Sequence, residues 1–280
     1  MPAFVLRHAR ALADVVDTLV VASSAPLRPE AAAALGSIAE VVPVTGSSSC
    51  WVSWREGMSR LGDWRNLDRL LLVDSAVAGP FRPLGDVLGD VVPGTARGVC
   101  STGPYLQSQL LDLSPEVLAA PAVHAFWTGV EALGPRPDAH LLQRNFSRVV
   151  SASGLDVEPL FRPRRSDRVR ARALSMRRSL GQAVTKRGQQ RRAAMESLRR
   201  PPVRLLDPMT EHWYRAIDTS LPYLDLSVLL EDPARVGREH MLTTLEAAHP
   251  EAMTGVRDYL HRLSSEALPR SKRVVNLWST

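Results

Sequence analysis

Leu70-Leu71-Leu72-Val73-Asp74-Ser75-Ala76-Val77-Ala78-Gly79-Pro80-Phe81 is the stretch from which the fold can be read. Four consecutive large aliphatic residues suit a strand buried on both faces, and such strands belong to parallel sheets covered by helices. The run stops at an aspartate and a serine, then turns through Gly79-Pro80. Open α/β sheets bind ligands in the crevice beyond the carboxyl ends of their strands. Asp74 therefore stands where a functional carboxylate is expected, with Ser75 beside it. The plainer reading is an aspartate that caps the turn ahead of Gly-Pro.

Outward from this strand the pattern alternates. Residues 4–16 have helical spacing, and 18–22 read as a strand. Pro29 and Gly36 punctuate a helix, and 40–44 form a second strand with Pro43 marking an edge or an end. Residues 51–61 are helical and lead into the 67–74 strand. The order βαβαβ with short connections predicts a mostly parallel sheet with helices on both faces. Further on, 84–91 read as a short helix, 98–101 and 106–111 as strands, and Ser114-Pro115-Glu116 as a helix start. Helical patterns follow at 121–133 and 137–153, with Gly154 as the stop. Three segments are expected: an α/β domain over 1–160, a basic helical arm over 161–204, and a helical part over 205–280 packed on the first.

The net charge of +6 is unevenly distributed. Between positions 162 and 204 there are 15 Lys and Arg residues against Asp167 and Glu196, whereas the rest of the chain has 20 basic and 27 acidic residues. The basic balance thus belongs to one arm with an apolar stripe at Val169, Ala173, Met176, Leu180 and Val184. A solvated helix is its default reading. Contact with an anionic membrane surface comes next. Nucleic-acid binding is least favoured, because no aromatics are interleaved for base stacking. No apolar run approaches the ~20 residues of a membrane span, and the start lacks a secretory h-region. Cys50 and Cys100 have no CxxC spacing and read as reduced thiols, and the seven histidines form no zinc motif. A cytoplasmic protein is expected, with the arm available to the inner face of the membrane.

Gln107 and Ser108 are further candidates. They interrupt an apolar run, where polar side chains either satisfy buried backbone groups or reach a ligand. Cys50, Trp51 and Trp54 read as core rather than chemistry.

Four pieces of the chain, in order, resemble the rhamnan synthesis F family of bacterial surface-polysaccharide assembly. Residues 50–58, CWVSWREGM, are similar to that family's DFGSWKxGL stretch, and 70–81 to its LLxNDSxxGPx strand and turn. Residues 105–118 with Phe126-Trp127 resemble HLQSYFLxFSxxVL followed by FW. Asp207-Pro208-Met209-Thr210 with Trp213, and 221–233, resemble an NPTxxxW…PFxKxxLLRxNP tail.

The resemblance implies an A-type glycosyltransferase fold that moves a sugar, rhamnose by the family's name, from a nucleotide-diphosphate donor to a glycan or lipid-linked acceptor. It implies that Asp74 holds the diphosphate or a divalent cation, Mg²⁺ or Mn²⁺, with Ser75, Gln107 and Ser108 lining the site. The departures matter equally. Cys50 replaces an aspartate, Val73 an asparagine, Tyr105 a histidine and Asp225 a lysine. Asn145 stands near a customary glutamate and has no useful basicity for activating an acceptor hydroxyl. Met1 falls almost directly on a helix, so the strand that opens such a fold is expected to be missing. A non-catalytic binding or scaffold protein on the same fold is the rival expectation.

Overall fold

The computed structural model describes residues 1–45, 49–100, 105–131, 138–167, 169, 173, 209, 212–232 and 237–265. Most of the 161–204 arm, and with it the apolar stripe from Met176 onward, lies outside the described residues.

The first half follows the alternation of the sequence. Helix α1 (Ala3–Ala13) buries Phe4, Val5, Ala9 and Leu12. It is followed by β1 (Val20–Ser23), by α2 (Pro29–Gly36) with proline and Glu30 in its first turn, and by β2 (Glu40–Pro43). Helix α3 (Cys50–Met58) and the 3-10 turn Trp64–Asn66 lead to β3 (Leu70–Val73). Then come β4 (Val77–Ala78), α4 (Leu84–Leu88), β5 (Thr95–Cys100) and β6 (Leu106–Leu113). Helices α5 (Pro115–Ala119), α6 (Pro121–Glu131) and α7 (Ala139–Ala152) precede β7 (Asp156–Pro159). The last part comprises α8 (Trp213–Thr219), β8 (Leu224–Asp225), α9 (Leu226–Glu231), α10 (Arg238–Ala248) and α11 (Val256–Ser265).

The architecture is mixed α/β, but the strand pairing corrects the expectation of a mostly parallel sheet. β1 and β2 pair in parallel, with Val20 opposite Glu40. β3 instead pairs antiparallel with β6, from Leu70 opposite Leu113 to Val73 opposite Leu110. β6 is also antiparallel to β5, and β5 is parallel to β7, giving the order β3-β6-β5-β7. The reason is local. β5 and β6 are close in sequence and return on each other, which only an antiparallel ladder allows over so short a connection. All eight residues of β6 are buried, so it takes a central place and offers its other edge to β3. β4 and β8 form a separate antiparallel pair.

Two large cores lie on the flanks of these strands. One gathers Trp51, Trp54, Leu72, Leu111, Trp127 and Phe146 beneath α3, α6 and α7. Within it Trp51 stacks on Trp127 at 5.5 Å and meets Trp54 edge-on at 5.2 Å. The other joins α1 to the last helices, with Phe4 edge-on to Tyr259 at 5.5 Å among Phe81, Trp213, Leu229 and Leu260. Gly79 marks the passage between β4 and α4. Its φ of +130° and the carbonyl of Pro222, 2.5 Å from where a Cβ would sit, leave room for glycine alone.

A buried charge cluster holds the sheet together. Asp112 on β6 is 3% exposed and accepts from Arg69 Nε at 2.7 Å and from Arg97 Nε at 2.9 Å. Arg69 also donates to the carbonyls of Leu88 and Gly89, which ties the end of α4 to β3. Removing the shared acceptor leaves two guanidinium groups facing one another below the surface. Asp112→Ala is expected to cost about 3–5 kcal/mol in urea unfolding. Asp63→Ala, which loses only exposed contacts with Arg65 and Asn66, is expected to leave the midpoint nearly unchanged.

Candidate functional site

A cavity of about 1020 Å³ opens between β1 and β3, with α1 and α3 contributing to its walls. At the carboxyl end of β3 its lining turns polar, with Ser24, Cys50, Asp74, Ser75, Ser108 and Asp225. This is the crevice position that strand-end reasoning assigns to ligands.

Asp74 is fixed from both sides. Its N–H donates to the carbonyl of Gln109 at 3.3 Å, and its Oδ1 accepts from Ala76 N–H at 3.0 Å. Asp74 thus caps the turn, the plainer of its two expected roles, and also lines the cavity. Asp225 arrives from the far end of the chain through the β4–β8 pair, where it lies opposite Val77. Its Oδ1 caps α9 through Ser227 N–H at 2.7 Å, and its Oδ2 accepts from Gln109 Nε2 at 2.9 Å. Ser108 Oγ accepts from Gln143 Nε2 of α7 at 3.3 Å.

The electrostatics are those of a sheltered, acidic pocket. Burial pushes Asp74 up to about 6, opposed by the Ala76 N–H and reinforced by the charge of Asp225. Its remaining accessible surface is modest, and Asp74 lines the cavity. Burial also pushes the Cys50 thiol well up, and the neighbouring Asp74 adds to this, so Cys50 is held as a neutral thiol rather than an activated thiolate. His8, deeper in the cavity wall, is lowered to about 4 by burial and is neutral at pH 7.

Of the residues singled out in the sequence, Asp74, Ser75 and Ser108 come together on one wall. Gln107 is buried in β6 but does not line the cavity. Asn145 does not line it either. Sequence reasoning does not single out Cys50 and Asp225 as site residues, yet both stand at this end of the cavity. Their signal was their place in the resemblance, an aspartate replaced by Cys50 and a lysine by Asp225.

The donor chemistry bears on a divalent cation. Two carboxylates and a serine hydroxyl are hard oxygen donors, suited to a cation whose other ligands are phosphate oxygens and water. Among the described residues no group of three or more His, Cys, Asp or Glu forms a cation site by itself. The set fits a cation shared with a ligand.

The raised Asp74 value has a consequence for stability. Folding favours its protonated form, so this contribution is fully present below about 4 and is lost as pH rises through about 6. Asp74→Asn keeps an acceptor for Ala76 and removes the buried charge. It is expected to raise stability at pH 8 by on the order of 2 kcal/mol and to change little at pH 4. Urea midpoints at the two pH values measure this. Compared with family models, curated proteins and solved structures, the chain matches none.

Proposed function

We propose that the chain is a glycosyltransferase-like protein of A-type fold. In this reading it binds a nucleotide-diphosphate sugar at the Asp74 end of the cavity and transfers the sugar to a glycan or lipid-linked acceptor in bacterial surface-polysaccharide assembly. The observation that carries the reading is the convergence of Asp74, Asp225, Ser75 and Ser108 in a crevice beyond the end of β3. No helix among the described residues is long and apolar enough to cross a membrane. A lipid-linked acceptor would be met at the membrane surface, the second of the readings of the basic segment 162–204 after a solvated helix.

The residues divide the work. Asp74 and Asp225 would hold Mg²⁺ or Mn²⁺ against the diphosphate, with Ser75 and Ser108 offering hydroxyls to phosphate or ribose oxygens. The cation supplies charge neutralisation of the nucleoside diphosphate leaving group. Cation binding also requires Asp74 to be ionised, which its value of about 6 permits at neutral pH. A second reading, a non-catalytic binding or scaffold protein, draws on one observation. Both oxygens of Asp225 already accept internal hydrogen bonds, from Ser227 N–H and Gln109 Nε2.

A thermal-shift panel of nucleoside diphosphates and diphosphosugars, with and without Mn²⁺, separates the two. A donor present at 100 times its Kd adds about 2.7 kcal/mol, which raises Tm by about 5–10 °C. The shift should depend on Mn²⁺ and vanish in Asp74→Asn. No shift with any nucleotide rejects the nucleotide-sugar reading. A shift without sugar transfer or donor hydrolysis supports the scaffold reading.

A further inference from the structure

The body of the cavity, below the polar end, is bounded by two strand edges. The carbonyls of Leu19 and Ser23 accept from Glu40 on β2 and from Val44 just beyond it. By alternation, the N–H and C=O groups of Val20 and Ala22 face the other way, into the cavity. On the opposite side Asp74 N–H donates to β6, so the groups of Leu71 and Val73 face the cavity as well. The carbonyl of Val73 is taken by Trp54 Nε1 at 3.1 Å. The groups of Val20, Ala22 and Leu71 enter no ladder among the described residues.

The two edges run in the same direction. β2, parallel to β1, ends at Pro43, a few residues before α3 starts at Cys50; Cys50 lies by Asp74 at the end of β3, and the other end of α3 leads back to the start of β3 at Leu70. α3 is thus antiparallel to both strands. The walls above and below are apolar: Val5, Ala9 and Leu12 come from α1, and Trp54 and Met58 from α3. Strand spacing of 4.8 Å, a layer of about 10 Å and a rise of 3.3 Å give roughly 160 Å³ per strand residue. The whole cavity of 1020 Å³, polar end included, therefore sets an upper bound of about six residues.

We propose that this slot receives an additional β-strand: an extended, apolar polypeptide segment of up to about six residues, parallel to β1 and β3 and leading directly into α1. Its entry into α1 follows from two anchors: the short connection from the end of α1 to the start of β1, and the ring of His8, which meets Tyr223 at 4.7 Å beside the β4–β8 pair, so that the start of α1 lies towards the carboxyl end of β3. Pro2 is buried there in an extended conformation, with φ −62° and ψ 143°. A strand leaving the slot at that end arrives at Pro2. Filling the slot would join the β1-β2 pair to the four-stranded sheet, satisfying both edges and completing a sheet apolar on both faces. His8, whose Nδ1 is buried without a hydrogen-bond partner, lies on the same wall.

The test compares the 280-residue chain with two versions extended ahead of Met1, without nucleotide. One extension is Ser-Lys-Val-Val-Ile-Val-Leu-Asn-Gly, and the other replaces its second valine and its isoleucine by proline, which cannot donate to a ladder. The first should raise Tm by at least about 5 °C and slow amide exchange at Val20, Ala22 and Leu71 at least 100-fold. The second should do neither. In the unextended chain, the amides of Val20, Ala22 and Leu71 should exchange at least 100-fold faster than those of Val21, Ser23 and Leu72, which keeps the proposal testable if an extended version does not fold. Unchanged Tm and exchange, an equal gain from the proline version, or protection of these amides by a nucleoside diphosphate alone would overturn it. A free peptide of the first sequence that protects them as well as the attached one would refute entry through α1. Because nucleotide is absent from the main comparison, its failure is separate from failure of the nucleotide-sugar reading.

Discussion

The last rung of the β3–β6 ladder, from Asp74 N–H to the carbonyl of Gln109, is the contact on which the rest of the site depends. It ends β3 at a defined point and sets the aspartate just beyond the sheet. The same residue, Gln109, uses its side chain to hold the Asp225 carboxylate, so one position on β6 anchors the backbone of one aspartate and the side chain of the other. β6 can do this because it is buried along its whole length and braced by Asp112 between two arginines. The rigidity of the sheet is thereby transmitted to the acidic end of the cavity.

Placing two carboxylates in a sheltered pocket is costly, and burial favours the protonated form of Asp74. Natural proteins retain such local conflicts where a site requires them. At neutral pH the ionised Asp74 is a poised anion, partly relieved by Ala76 N–H and available to a cation. Cys50, neutral and half-buried beside it, adds no charge of its own.

How far the sequence led can be judged from particular elements. Helix α2 is bounded by Pro29 and Gly36 as its punctuation requires, and the aliphatic run from Leu70 to Val73 is a strand ending at Asp74. These are local signals, carried by periodicity and by residues with special backbone preferences. Strand partners are not local. The βαβαβ order implies a mostly parallel sheet, but β3 pairs antiparallel with β6, whose burial on all eight residues is a property of the folded sheet. β4, β7 and β8 are too short, or too polar in composition, to show a two-residue period. Asp225 reaches the site only through the β4–β8 pair, some 150 positions away from Asp74, and no spacing rule spans that distance. Ser108 was legible as a polar residue in an apolar strand. Gln107 carried the same signal, yet the structure does not bring it to the cavity.

At the end of β3 the protein is proposed to present a half-buried, ligand-ready carboxylate. Its most direct measurement is the carboxyl ¹³C titration of Asp74 in the folded protein. A midpoint near 6 is expected, moving downward when Mn²⁺ or Mg²⁺ and a nucleoside diphosphate are added in excess. A midpoint at the ordinary aspartate value of about 3.9, unmoved by cation and nucleotide, would contradict it.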